Sequence, residues 1–459
     1  MKKIIYIIIL KICILLTFSS CEDFLNLDEP VGQINSYTVF ENEATANASV
    51  TTLYAMLRDE VLLAGNSQGL GVIFGLYADE LDYYGQPGQD LEAVYNHQIL
   101  SSNYVVKTIW KNAYKLIYGC NSALEGIDSS VKLSEELRNQ LKGEVLFIRS
   151  IVHYYLTKIY GNIPYIVNTD YQENSVVSRA ETEWVIQKIK EDLLIAKELL
   201  MDHYPGNERV RANRFVVSAF LAKIYLNEKE WQLAINECDQ VINQSGYYQL
   251  ENDIAKEFLR ESTSAIFQLK PAREGFPTHE ANYIFEYGPP INVALSVSLV
   301  ESFEETDLRR ANWIKEVQGE TQSWYMAYKY KNSEFSNHSL EYSIILRLAE
   351  LYLIKAESYA HLGNISLSIQ NLNLIRNRAG LENLTFSNQN DLLDAILTER
   401  RHELFTEQGN RWFDLTRFQK QNEILSLIKP NWRITDVLFP IPEEEILLNP
   451  YLLPQNPGY

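Results

Sequence analysis

The sequence predicts a mostly α-helical fold, in which a scaffold of paired helical repeats carries irregular, loop-rich inserted lobes with little strand. Three observations lead there. Apolar residues recur at three- and four-residue steps over long stretches, which gathers them on one face of a helix. Two of those stretches, far apart in the chain, share one pattern of small and large residues. The stretches around them are punctuated by Pro and Gly and hold no helical period.

At the amino end, Lys2 and Lys3 precede the apolar run Ile4 to Leu16, and small Ser19 and Ser20 lead into Cys21. Residues 1–20 read as a signal peptide with a lipobox, and Cys21 as the lipidated first residue of the mature chain. The run is interrupted by Lys11 and falls short of the roughly 20 residues a membrane span needs. Acyl chains on one residue hold a protein at a membrane because each buried CH₂ contributes roughly 0.8 kcal/mol. The expected membrane attachment is therefore the lipid alone.

Residues 21–459 are expected to form one composite domain, with irregular lobes at about 30–106 and 246–341, helical repeats at about 107–245 and 342–380, and a C-terminal region over 381–459. In the first lobe a Gly-rich patch runs from Gly65 to Gly75. Its Gly69-x-Gly71-x-x-x-Gly75 misses dinucleotide spacing by one residue and reads as a flexible loop. Trp110, Ala113, Tyr114, Ile117, Tyr118, Asn121, Leu124 and Ile127 then mark one helical face, and Leu133 to Tyr160 its partner, ended by Gly161-Asn162-Ile163-Pro164. Thr182 to Met201 and Arg211 to Tyr225 form another pair.

Ala222, Tyr225, Trp231, Ala234, Cys238 and Val241 fall at the packing positions of a tetratricopeptide repeat, and Ala356, Tyr359, Leu372 and Ile375 fall at the same offsets. The interval Gly246 to Glu341 separates the two, which argues against one uninterrupted solenoid. Pro440 to Tyr459, with five prolines, is expected to run extended.

Composition narrows the chemistry. Removing residues 1–20 takes away three lysines and no acid, leaving 38 Lys+Arg against 60 Asp+Glu and a net charge of −22. Such a surface opposes nucleic acid, whose binding is driven by cations displacing counterions. Cys120 and Cys238 both fall on apolar helical faces, where a disulfide would fit but two free buried thiols are the simpler expectation. His402-Glu403 and His279-Glu280 lack the second His of a zinc metalloprotease motif. Asp79, Glu80 and Asp82 are the one cluster suited to calcium, although adjacent carboxylates in a surface loop are commonly just solvated; no other cofactor is expected. Glu399 and Glu403, one turn apart beside Arg400 and Arg401, read as helix ion pairing rather than a hydrolase pair.

Tyrosine is the outlier, with 29 Tyr beside 18 Phe and 7 Trp. Flat rings with polar edges suit the C–H faces of pyranoses. The candidates for ligand contact lie in the two lobes: Tyr83, Tyr84 and Tyr95 in the first, Tyr283, Trp313, Trp324 and Tyr325 in the second, with Tyr77, Tyr287 and Tyr328 beside them.

Several strings taken in order resemble the SusD/RagB family of outer-membrane nutrient-binding lipoproteins of Bacteroidetes. They are Cys21-Glu22-Asp23-Phe24-Leu25, Phe147-Ile148-Arg149 with Tyr154-Tyr155, Leu346-Arg347-Leu348-Ala349-Glu350, Arg376-Asn377-Arg378-Ala379-Gly380-Leu381, Glu399-Arg400-Arg401-His402-Glu403-Leu404-Phe405, Gly409 to Leu415, and Asn456-Pro457-Gly458-Tyr459. Ser150 and Asn162 stand where the family more often has Ala and Asp. The resemblance implies a tetratricopeptide-like superhelix that docks a SusC-like TonB-dependent transporter, with no enzymatic activity. It also implies a cell-surface, lipid-anchored location in the outer membrane and lobes that hold a glycan or peptide. The matching residues belong to the scaffold, so no ligand contact carries over. A lipid-anchored glycoside hydrolase and a scaffold that only organises complexes are the alternatives from other classes.

Overall fold

The computed structural model describes residues 38–459 of the chain; Cys21 and the leader lie outside them. Eleven of its helices matter below: α1 (Glu43–Asp59), α2 (Leu70–Tyr77), α3 (Tyr104–Ser129), α4 (Glu135–Tyr160), α5 (Thr182–Leu199), α6 (Arg214–Asn227), α7 (Trp231–Ile242), α8 (Leu348–His361), α9 (Ile365–Arg378), α10 (Gln389–Leu404) and α11 (Asn410–Arg417). Polar residues set several of their starts. Asn103, Ser134 and Asn213 each accept a hydrogen bond from an amide in the first turn of α3, α4 and α6, which satisfies donors a helix leaves free. Gly161, at φ 71°, ends α4 in a conformation that favours glycine.

The helices pack in chain order, α3 on α4, α4 on α5, α5 on α6 and α6 on α7. The stack then continues from α7 to α8 and on to α9 and α10. The interruption in sequence is therefore not one in space, and the expectation of a broken solenoid is corrected. The join between α7 and α8 is made by Trp231 stacked on His361, with centroids 4.1 Å apart, and by Lys355 on Asp239 at 2.6 Å. Central α6 and α8 carry small residues, Ala219, Ala222, Ala349 and Ala356, wholly buried where neighbours approach closely.

Among the described residues six short strands pair antiparallel in twos: β1 (Leu81–Tyr83) with β3 (Val293–Leu295), β2 (Ala265–Leu269) with β6 (Ser343–Arg347), and β4 (Ile314–Gln318) with β5 (Ser323–Ala327). Leu269 faces Ser343 across the β2–β6 ladder, so the chain leaves for the second lobe and returns from it at neighbouring points.

Three local readings change. The Gly-rich patch is not a flexible loop, because α2 begins at Leu70 and is buried along its length. Gly71 makes this possible, since a Cβ there would stand 2.4 Å from the Thr406 carbonyl oxygen. The first lobe also contains α1, which buries Val50, Leu53, Tyr54 and Leu57 against α3 and α4. Finally, the proline-rich end is not extended throughout: Glu443–Leu448 forms a helix and Pro450–Leu452 a 3₁₀ turn.

A buried network of charges fixes the second lobe to the scaffold. Arg309, from the lobe, lies 2.6 Å from Glu399 and 3.1 Å from Glu403 of α10. Arg347 at the end of β6 and Arg378 of α9 both reach Glu403 and also Glu257, the latter at 3.3 and 3.1 Å. Lys329 and Arg347 share Glu407. Burial raises the Glu403 carboxyl, but Arg378, Arg347 and Arg309 outweigh it and hold the group well below the usual carboxylate range. The pairing expected within one helix thus runs between elements instead. Arg411 pairs with Asp79, while Asp414 takes Arg400 and Arg417.

Candidate functional site

β1 brings the first lobe against the second. Its alternation turns Leu81 inward, and the antiparallel partner β3 lies beside the β4–β5 hairpin. On β5, Trp324, Met326 and the following Tyr328 share a face and pack with Phe285, Ala294 and Val317 in a small apolar cluster. Tyr325, one residue off, packs with Tyr83, Tyr95 and Tyr283 around the larger core under the lobe. A strand's period of two thus divides neighbouring rings between two faces.

The rings at the margin of the small cluster reach solvent. Tyr287 is 71% exposed and meets Phe285 edge-on at 4.7 Å; Phe285 in turn lies 4.7 Å from Tyr328. Tyr84, 39% exposed, follows β1 and holds its amide on the Asn292 carbonyl at 2.8 Å. Its hydroxyl faces the indole N–H of Trp324, and burial with Asp82 nearby raises its pKa. Tyr95 donates to Asp82 Oδ1 at 3.0 Å, and Lys429 Nζ lies 3.6 Å from the centre of the Tyr95 ring while donating to the Leu76 carbonyl at 2.9 Å. Burial lowers Lys429 to about 8. The structure therefore brings Tyr84 of the first lobe against Trp324 of the second, with Tyr287 and Tyr328 at the same small cluster.

Beside them opens a cavity of about 420 Å³, lined by Glu60, Ser67, Gln68, Gln89, Asp90 and Tyr104 over an apolar floor that includes Leu62, Ile73 and Leu91. Tyr83 and Tyr283 touch residues of the cavity wall. The Tyr83 hydroxyl bonds with the Gln86 carbonyl at 2.9 Å and with Gln89 Oε1 at 3.2 Å, and Tyr283 reaches toward Ser67. A floor of hydrocarbon with amides, carboxylates and hydroxyls above it is a surface on which a sugar's two kinds of face can both be met.

Trp313 does not belong to this surface. It is 1% exposed, its indole donates to the Ile254 carbonyl at 3.0 Å, and it packs edge-on to Phe258 as a wall of the buried charge network. Tyr77 is likewise buried, stacked on His97 at 4.0 Å. The acidic cluster is not a solvated loop either. Arg411 and Arg401 hold Asp79, and buried Glu80 accepts from the Thr406 amide at 3.1 Å, its carboxyl raised to about 7 by that burial. Among the described residues no group of His, Cys, Asp or Glu is arranged to hold a metal ion. Cys120 and Cys238 are free and buried.

Sequence reasoning missed Phe285 and the cavity lining. The turn string Gly85-Gln86-Pro87-Gly88 marked one edge of the cavity, but its other walls come from distant segments.

Comparison with known proteins agrees with this architecture. Residues 72–226 match a family model described as "Starch-binding associating with outer membrane", and residues 300–459 match one described as "SusD family". SusD-like protein P25 of Formosa agariphila is 25% identical over 98% of this chain and 99% of its own. SusD-like protein P2 of the same organism is 26% identical over 98% of each. A SusD superfamily protein from Bacteroides vulgatus superposes with a TM-score of 0.79 at 21% identity, covering 92% of this chain and 100% of that one. A laminarin-binding SusD-like protein gives 0.77 at 21% identity, covering 91% and 100%.

Proposed function

This chain belongs to the SusD/RagB family, and from that premise we propose that it is a surface-exposed outer-membrane lipoprotein that captures a nutrient glycan and hands it to a SusC-like TonB-dependent transporter. The observation that carries the proposal is the ring-lined surface shared by both lobes, with Tyr84 and Tyr287 open to solvent beside a cavity of about 420 Å³. A laminarin-binding relative of the same fold supports a glycan as ligand. Lipidation at Cys21 would tether the chain, and among the described residues no helix is long and apolar enough to cross a membrane.

The protein acts by binding, and degradation of the polymer falls to other proteins. Glu399 and Glu403, the carboxylate pair a hydrolase reading would use, are buried against arginines. Calorimetric titration of the leaderless chain with a glycan panel tests the binding. Failure of every glycan would sink it, and binding of peptides alone would turn the reading to peptide uptake. Palmitate incorporation at Cys21 tests the tether. Co-purification with a transporter, changed by ligand, tests the hand-over.

A further inference from the structure

We infer that the site takes neutral glycans and turns away those bearing carboxylate or sulfate groups, an inference that rests on the glycan-binding reading above. The cavity is lined by the acids Glu60 and Asp90 and by no Lys, Arg or His. Asp90 Oδ1 accepts from the Tyr104 amide at 2.9 Å, and Glu92 Oε2 holds the amide of Gly88, itself a lining residue, at 2.6 Å. On the ring side, Asp82 stands beside Tyr84 and Tyr95, and Glu286 accepts from the Ile291 amide at 3.1 Å close to Tyr287.

The neighbouring cations are engaged. Lys115 meets Glu60 at 2.9 Å in an ion pair open to solvent that offsets part of that acid's charge and leaves Asp90 as the cavity's main anion, and Lys429 is buried against Tyr95 with its ammonium on the Leu76 carbonyl. Lys331 lies over the Tyr328 ring at 5.4 Å, with Glu341 and Asp253 as the acids that act on its charge.

Carboxylates in this position act in two ways. A sugar hydroxyl donates to them in a charge-assisted hydrogen bond, which favours an uncharged ligand. A uronate or sulfate ester offers acceptors where acceptors already stand and adds like charge within about 8 Å, the screening distance at physiological salt. The net charge of −22 on the leaderless chain extends the same repulsion outward.

The test uses the leaderless chain and matched polymers: dextran, laminarin and galactan, each with its sulfated or carboxymethylated derivative, titrated at low and high salt. A neutral polymer is expected to bind at least about tenfold more tightly than its charged derivative, with the gap narrowing as salt rises. The double variant Glu60→Gln, Asp90→Asn should narrow the gap at low salt while the melting temperature holds; if that variant does not fold, the salt dependence of the unaltered chain decides. A charged derivative, alginate or polygalacturonate bound as tightly as any neutral polymer overturns the inference and leaves glycan binding standing. No binding by either class overturns the reading beneath it.

Discussion

Arg309 and Glu403 stand 3.1 Å apart with both side chains wholly shielded from water, one carried by the second lobe and the other by α10 of the scaffold. Glu403 also receives Arg347 and Arg378, so one carboxylate touches three guanidinium groups from three elements, each of which meets a second acid as well. Replacing it by Gln keeps the volume and leaves those cations under-compensated in a site water does not reach. Glu403→Gln is expected to cost about 3–5 kcal/mol, read by urea denaturation. A loss within experimental error would mean that the network does not fasten the lobe.

A second expectation concerns acid. His402 is stacked on Phe303 at 4.3 Å, with Nε2 2.9 Å from Ser302 Oγ, and burial together with Arg309, Arg401, Arg376 and Arg411 presses its pKa down to about 2. An unfolded histidine takes a proton near pH 6.5, whereas this one stays neutral. Its contribution is whole above pH 6.5 and lost as pH falls below, at about 1.4 kcal/mol per unit. The stability of the unaltered protein relative to His402→Asn should therefore shrink between pH 6 and pH 4. The NMR ring signal of His402 should not titrate above pH 4; titration near 6 would refute the assignment.

Gly71 permits the close approach of α2 to the segment after α10. A methyl group there meets the Thr406 carbonyl oxygen at 2.4 Å, while nothing lies within 4 Å of a Cβ at Gly246. Gly71→Ala should destabilise by about 1–3 kcal/mol, and Gly246→Ala should leave the thermal midpoint nearly where it is. Equal effects would remove the packing explanation.

Exposed and buried rings should respond oppositely. Tyr84→Ala and Tyr287→Ala are each expected to weaken glycan affinity by about threefold to tenfold with little change in melting temperature. Trp313→Ala should instead cost about 3–5 kcal/mol of stability. Calorimetry beside thermal denaturation separates the two, and a Tyr287 variant that binds unchanged would move the ligand away from the outer rings.

The long helices were legible because their information is local. Trp110 to Ile127 repeats its apolar face within one segment, and α3 spans it from Tyr104 to Ser129. α2 was hidden because Gly69, Gly71 and Gly75 read as breakers, whereas their lack of side chains serves close packing against Ala64, Thr406 and Leu81. Continuity from α7 to α8 depends on Trp231 meeting His361 across the whole second lobe, which no period in the sequence records. The candidate rings divided on burial: Tyr84 and Trp313 are equally aromatic as letters, and only tertiary packing puts one at the surface and the other beside Arg347.

The pairing of Leu269 with Ser343 makes residues 270–342 an excursion whose two ends meet. Changes of length inside such a segment leave the helical stack undisturbed as long as Arg309 and Lys329 still reach Glu403 and Glu407.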